Sequence, residues 1–342
     1  MKTLPRLLAL FGALALVVPA LAAGQSSEHM NSMHNMKQKK MMMMRMMKQA
    51  EAMSPWRGYL KAHDSVKHPL PLLGGPIKIH ISQTAGGVFV ALPAYRKLDP
   101  DVFGTPKHPR AFGGFPMVSG VPLMLRGVDD GHYTKVKKLS PFGDKSMVMP
   151  DGHLKLEMLD ATATDAATTK DKVKLDASWK DKKGNTYEVR CCKMLAAHGV
   201  DYPSFGGVVT NGLMHGSSRI GTPLMPTLYD YAAFWGMGEV MKNGKVLQAP
   251  RLVHIMLTEY VRGPGYTLDF DKQVTPTKIQ LHVMVPPAMP EPAKGTFRPD
   301  PVKTGFKLPN GKMLPFWHVM FENLTVTASR TEATQQFWPP KG

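Results

Sequence analysis

The chain contains little cysteine and, after its first residues, no long apolar run, and both shortages limit what it can be. It has only two cysteines, Cys191 and Cys192, in 342 residues, so a disulfide scaffold is excluded. A bridge between adjacent cysteines closes a strained eight-membered ring. Three states stay open for this pair: a strained vicinal bridge, buried free thiols, or soft metal ligands. After residue 23 no stretch approaches the roughly 18 consecutive apolar residues of a membrane helix.

Signatures of common enzyme classes are also missing. There is no Gly-x-Ser-x-Gly elbow, no His-Glu-x-x-His, no Walker loop and no dinucleotide fingerprint. The motif for covalent haem attachment, Cys-x-x-Cys-His, is absent as well. The sequence therefore predicts no particular reaction, and a copper redox enzyme stays open only as an alternative to a non-enzymatic protein.

The first 23 residues have the pattern of a secretory signal peptide. Lys2 and Arg6 precede an apolar core from Leu7 to Val18, and small residues follow up to Ala23. No cysteine stands directly after this segment, where residue 24 is glycine, so a lipid anchor of the bacterial lipoprotein type is not indicated. We expect a mature chain that is exported, periplasmic or secreted, with no transmembrane segment.

The chain is strongly basic. Its formal charge is +17, and removal of Lys2 and Arg6 with the signal peptide leaves +15. Such a charge favours an anionic membrane surface or an acidic protein as a partner, although it could also serve solubility alone. No nucleic-acid-binding motif is present, and we expect no nucleic acid partner.

Residues 24–60 form a predicted arm that is rich in methionine and lysine. Ten of the 26 methionines fall between Met30 and Met53, and good helix formers predict a helix over about Met33–Ala52. The arm resembles in composition the Met-rich segments of exported bacterial copper-resistance proteins, which implies metal uptake but assigns no ligand. Binding to a membrane surface, binding to a partner and a disordered tail stay open. Its candidate metal ligands are His29, Met30, Met33, His34, Met36 and Met41–Met47.

The body of the chain has the pattern of an all-β protein. Apolar and polar residues alternate along Ile77–Ile81 and Val173–Ala177, as they do on half-buried strands. Lys183-Gly184-Asn185 and Asn243-Gly244 are typical of hairpin turns. With 30 prolines and 31 glycines, long helices are not expected, although a short one is predicted at Leu228–Trp235.

These patterns predict a Greek-key type β-sandwich, built either as one unit or as two β subdomains. We place a β-rich first half at residues 61–205 and a β-rich second half at residues 206–342. The Gly-rich segment that begins at Gly206-Gly207 marks the boundary between them.

Three predicted strands in the second half repeat the pattern His-x-Met. Residues two apart on a strand point to the same face, and the residues between and beside them are apolar. Imidazole nitrogen and thioether sulfur form a ligand set that suits copper. His215, which lies in a Gly-rich turn, is an added candidate ligand. The candidate metal ligands of the body are His254, Met256, His282, Met284, His318, Met320 and His215.

The sequence favours an exported copper-binding protein for storage, tolerance or delivery. In this hypothesis the arm captures Cu(I) weakly and the His-x-Met strands hold it more tightly. The alternative is a non-enzymatic surface or membrane-associated interaction protein, in which the arm binds lipid or a partner and the His-x-Met face is ordinary packing. The hypothesis requires that these strands be neighbours, which spacing along the chain does not decide.

Overall fold

A computed structural model of the chain is dominated by one antiparallel sheet. Its strands form where apolar and polar residues alternate in the sequence. The structure describes residues 77–110, 121–161, 170–194, 207–291 and 296–330. The predicted signal peptide, the arm and the arm's candidate ligands therefore lie outside the described residues. The strands are β1 Ile77–Gln83, β2 Val88–Ala91, β3 Arg126–Asp129, β4 His132–Val136, β5 Ser146–Met149, β6 Asp151–Asp160, β7 Lys172–Lys180, β8 Thr186–Met194, β9 Val208–Met214, β10 Leu228–Lys242, β11 Lys245–Tyr260, β12 Thr275–Val285, β13 Ala288–Glu291, β14 Thr296–Pro299, β15 Trp317–Phe321 and β16 Thr325–Arg330.

Helical structure in the described residues is short. It consists of one α-helix and four 3₁₀ turns: α1 Pro100–Phe103, and the turns Leu123–Leu125, Gly216–Ser218, Pro264–Tyr266 and Asp271–Gln273. None of the helices in the described residues has the length and apolar character needed to cross a bilayer.

Twelve strands form one antiparallel sheet in the order β16-β1-β6-β7-β8-β10-β11-β12-β15-β2-β5, with β9 paired to the first part of β10. Strands from both halves of the chain thus share this sheet. Two small sheets, β3-β4 and β13-β14, complete the described strands. The prediction of an all-β fold is confirmed, whereas the Greek-key detail stays a prediction.

The sheet curves until distant strands meet. Trp179 on β7 packs edge-on against Trp317 on β15, with ring centroids 4.8 Å apart, although four strands separate β7 from β15 along the sheet. Tyr187 and Phe306 add rings to the same cluster. This aromatic cluster belongs to the inner core, which the apolar face of the central strands lines.

The central strands are buried on both faces over Arg251–Glu259 of β11, Gln280–Val285 of β12 and the whole of β15. One face points into the inner core through Ile255, Val283 and Val319, each fully buried. The opposite face is covered by a second layer in which Met225, Val261 and other apolar residues form a cluster with Met256. A side chain on this second face is therefore shielded from water.

The predicted helix at Leu228–Trp235 is wrong, because this segment is the first half of β10. It pairs with β9 on one side and β11 on the other. Every residue from Leu228 to Phe234 is buried, so the segment has no polar face to offer as a surface helix. Its aromatic residues instead favour a strand in the middle of a sheet.

The two predicted hairpins and the cysteine pair are all seen. Residues 181–185 join β7 to β8, and Asn243-Gly244 joins β10 to β11 with both residues at positive φ. Cys191 and Cys192 are joined as a vicinal disulfide across a cis peptide bond.

Candidate metal centre

The structure places the three His-x-Met strands side by side. His254 on β11 is the register partner of Met284 on β12, and Met284 is in turn the partner of His318 on β15. Two residues along each strand, Met256, His282 and Met320 form the second row. Since the strands are antiparallel, each row alternates histidine and methionine across the sheet.

These six side chains lie on the second face of the sheet and are nearly inaccessible. Each is at most 7 % exposed, and so is His215. His215 follows β9, and its turn brings the imidazole over this face, where Nε2 lies 3.3 Å from the Met256 sulfur. All seven predicted ligands of the body therefore lie together between the sheet and the residues that cover it, in what we call the histidine layer.

His215 adopts a backbone conformation that is rare for a residue with a side chain. Its φ of 63° and ψ of −174° lie in a region that is otherwise almost restricted to glycine, at a cost of roughly 1–3 kcal/mol. The Ile220 carbonyl accepts a hydrogen bond from the His215 backbone N–H at 2.6 Å. A Cβ at Gly221, also at positive φ, would lie 2.7 Å from the His215 ring, so glycine is needed for the turn to close on this imidazole.

Backbone carbonyls fix the tautomers of three of the histidines. Since a carbonyl oxygen only accepts, the neighbouring Nδ1 must carry the proton in His215 (to Thr222, 3.2 Å), His254 (to Phe234, 2.9 Å) and His318 (to Pro141, 2.9 Å). In a neutral imidazole the other nitrogen then has a free lone pair. The Nε2 atoms of these three rings are therefore potential metal donors.

His282 takes its tautomer from His318. The two rings are linked by a 3.0 Å contact between His282 Nδ1 and His318 Nε2. Because His318 Nε2 has no proton, His282 Nδ1 must donate, and His282 Nε2 is left with the lone pair. This Nε2 is buried and has no hydrogen-bond partner among the described residues. A chain of hydrogen bonds thus runs from the Pro141 carbonyl through His318 to an unpaired nitrogen on His282.

The layer keeps its imidazoles neutral. Burial lowers the pKa of His215 and of His318 to about 3 and that of His254 to about 4, and it lowers the pKa of His282 well below the ordinary value. Neighbouring imidazoles lower the pKa of His282 further. At neutral pH no proton lies between His215 Nε2 and the Met256 sulfur. Two lone-pair donors therefore face each other at 3.3 Å.

The remaining predicted ligands have other surroundings. Met320 packs in an apolar cluster with Phe89 and Ala91, against Tyr266. His254 stacks on the indole of Trp235, its register partner on β10, with ring centroids 4.1 Å apart. Met284 lies between His254 and His318 in its row. The contacts thus bring His215 Nε2 and the Met256 sulfur together and leave His282 Nε2, on the strand beside Met256, without a hydrogen-bond partner among the described residues.

Sequence reasoning missed the groups that hold these donors in place. The carbonyls of Thr222 and Pro141 give no sequence signal, because any residue supplies one. Arg262 follows β11 and is only 2 % exposed, but the sequence around it, with Glu259 three residues before, gives no sign that its charge is buried. Counting imidazole, thiol and carboxylate groups alone, no set of three or more in the described residues is arranged to hold a metal ion.

Comparison with known proteins gives no assignment for this layer. No protein-family model matches the chain, and no curated protein or solved structure is significantly similar to it.

Proposed function

We propose that this chain is an exported copper-binding protein that stores, tolerates or delivers copper through methionine and histidine ligands. The observation that carries the proposal is the facing pair of His215 Nε2 and the Met256 sulfur at 3.3 Å. Both atoms carry lone pairs, so the contact has no hydrogen bond to stabilise it. A soft cation between or beside them would satisfy both.

The third donor of the proposed centre is His282 Nε2. It is buried and lacks a hydrogen-bond partner in the described part of the chain, and such a group is costly unless something binds it. His282 is the register partner of Met256 across β11 and β12, so the two side chains lie next to each other on one face. Two imidazoles and one thioether suit copper.

His318 has a different part in this proposal. Its Nε2 accepts the hydrogen bond from His282 Nδ1, and its Nδ1 donates to the Pro141 carbonyl. Outer partners of this kind orient a metal-binding imidazole and increase its basicity. We therefore assign His318 as a positioning residue, with His254 and Met284 as neighbouring groups of the same layer.

The predicted arm supplies the rest of the proposal. Its methionines and histidines capture Cu(I) reversibly outside the cytoplasm, and the layer on the sheet then binds the ion more tightly. The predicted export signal places this chemistry where no cytosolic thiol pool competes.

Competition titration of the mature protein against a coloured Cu(I) chelator tests the proposal. Met256→Leu preserves volume but removes the sulfur, and it should weaken binding of the first equivalent strongly. Met158→Leu is the matched control, because Met158 on β6 is equally buried but lies outside the layer. If both variants bind copper like the parent protein, the proposed centre is wrong.

One observation favours a second candidate, a non-enzymatic interaction protein. Met320 lies in an apolar cluster and the whole layer is buried, as ordinary packing would be. In that case the basic arm binds an anionic membrane surface or an acidic protein. Co-sedimentation with anionic vesicles that needs residues 28–53 but no metal, together with absence of copper binding, would favour this candidate.

A further inference from the structure

Arg262 places a buried positive charge beside the histidine layer. Its Nη1 donates hydrogen bonds to the carbonyls of Gly143, at 3.1 Å, and Tyr266, at 3.2 Å. The same short segment supplies the Pro141 carbonyl that holds His318, and Phe142 packs its ring against the His318 imidazole at 5.6 Å. The segment 141–143 therefore bridges the guanidinium and the histidines.

The guanidinium of Arg262 is only partly satisfied by hydrogen bonds. Its Nε and Nη2 are buried and find no hydrogen-bond partner among the described residues. Burial lowers its pKa to about 10, so the group still carries its charge at neutral pH. Asp144 and Asp269 offset part of this charge, and Asp144 also forms a 2.9 Å ion pair with Arg96, a second buried cation.

This charge also acts on the proposed metal centre. Arg262 and His318 donate hydrogen bonds to carbonyls that are two residues apart, those of Gly143 and Pro141, so the guanidinium lies on the same short segment as the histidines. The repulsion between two charges is proportional to each of them. A divalent ion in the layer therefore meets twice the repulsion from Arg262 that a monovalent ion meets.

We infer that Arg262 makes the buried layer selective for Cu(I) over Cu(II). The guanidinium penalises the divalent ion, and the thioether of Met256 is a soft donor that suits Cu(I). This inference rests on the proposed copper-binding function and adds the oxidation state that the centre accepts.

Affinities of the full mature chain for Cu(I) and Cu(II), measured by competition titration, test the inference. Arg262→Gln should raise the Cu(II) affinity relative to the Cu(I) affinity by on the order of tenfold. This is the size expected for the repulsion of one extra unit charge at an effective dielectric constant of about 20. Arg262→Lys keeps the charge and should leave the ratio close to that of the parent protein. The matched control is Arg251→Gln, because Arg251 is an equally buried arginine on β11 that binds the carbonyls of Pro286 and Asp300 instead.

The arm contributes equally to every variant, so differences among them report the layer on the sheet. If the parent protein binds copper but Arg262→Gln leaves the ratio unchanged while it remains folded, the inference is overturned and the proposed function stands. Should Arg262→Gln fail to fold, the parent protein still decides: equal affinity for the two ions overturns the selectivity. Absence of any copper binding by the parent protein overturns the proposed function and the inference together.

Discussion

Carbonyl oxygens determine which nitrogen of each buried imidazole carries the proton. The carbonyls of Thr222, Phe234 and Pro141 each accept from an Nδ1, so every one of these rings presents an unprotonated Nε2. His282 inherits the same state from His318. The donor atoms are thus oriented by the fold itself, which reduces the reorganisation that metal binding would need.

The relay between His318 and His282 gives a prediction for the variant His318→Phe. The change removes the acceptor that fixes His282 Nδ1, and we expect Cu(I) affinity to fall roughly 10–100-fold without disappearing. His318→Gln offers an amide oxygen as a replacement acceptor and should restore part of the loss. In a chelator competition assay, complete loss in His318→Phe, as in His282→Phe, would show that His318 is itself a ligand.

The depressed pKa values predict that the metal-free protein loses stability as the pH falls from 7 to 5. His215, His254 and His318 have pKa values of about 3, 4 and 3 when folded and an ordinary value near 6.5 when unfolded. Below about pH 6.5 the unfolded chain binds protons that the folded chain excludes. Each of the three histidines then removes on the order of 2 kcal/mol from the unfolding free energy by pH 5.

Urea unfolding at pH 7 and pH 5 measures this loss. His254→Phe should reduce the difference by on the order of 2 kcal/mol, the contribution of one buried histidine. Replacement of the exposed His153 by Asn is the control for a histidine substitution outside the buried layer. An unfolding free energy that is the same at both pH values would contradict the account of the neutral layer.

At the scale of elements, β10 lies between β8, which carries the two adjacent cysteines, and β11, which carries His254 and Met256. It pairs with β8 through its second half and with β11 along its length, and it carries Trp235 and the Phe234 carbonyl that orient His254. The close approach of β8 depends on glycine at position 238, where a Cβ would lie 2.2 Å from the Arg190 carbonyl oxygen.

This close approach predicts that Gly238→Ala destabilises the protein. The added methyl group must displace backbone, and we expect a loss of about 1–3 kcal/mol in unfolding free energy, together with weaker copper binding because β10 shifts under His254. Gly212→Ala is the matched control, because a Cβ there would meet nothing within 4 Å. Denaturant midpoints that fall equally in the two variants would contradict this reading of the β8–β10 contact.

Much of the strand pattern, but little of the strand order, was predictable from the sequence. Alternation predicted β1 and β7 and turn residues predicted two hairpins, because both signals are local. The helix predicted at Leu228–Trp235 was wrong, since a segment buried on both faces shows no alternation that distinguishes a strand from a helix. The adjacency of β11, β12 and β15 arises from long-range pairing that spacing does not determine. The apolar residues that cover this sheet face also include Met225, which is distant from Met256 in the chain. They bury a face whose sequence mixes polar and apolar residues.

For the candidate site, the sequence predicted which residue types take part, but it did not predict which of them are donors and which position a donor. The His-x-Met repeat and His215 indicated soft metal chemistry from spacing alone. The division into donors and a positioning residue depends on which carbonyl each Nδ1 meets, and Pro141 lies 177 residues from His318 in sequence. Arg262 gave no sequence signal, because Glu259 and a Gly-Pro-Gly segment surround it as they would an exposed turn.

At the scale of the whole molecule, the predicted arm and the sheet layer have separate tasks in the proposed function. Deletion of residues 28–53 should lower the number of copper ions bound at saturation, because the arm holds ten of the chain's 26 methionines between Met30 and Met53. The first, tightest equivalent should remain. Equilibrium dialysis with copper analysis measures both quantities, and loss of the tight equivalent upon deletion would place the main site on the arm.

The most direct test of the central claim is the copper K-edge X-ray absorption spectrum of the full mature chain loaded with one equivalent of Cu(I). The account predicts a mixed shell of imidazole nitrogen and one thioether sulfur, with the sulfur contribution lost in Met256→Leu and retained in Met158→Leu. An all-sulfur shell that does not change in Met256→Leu would contradict it, because the copper would then be bound by methionines outside the sheet.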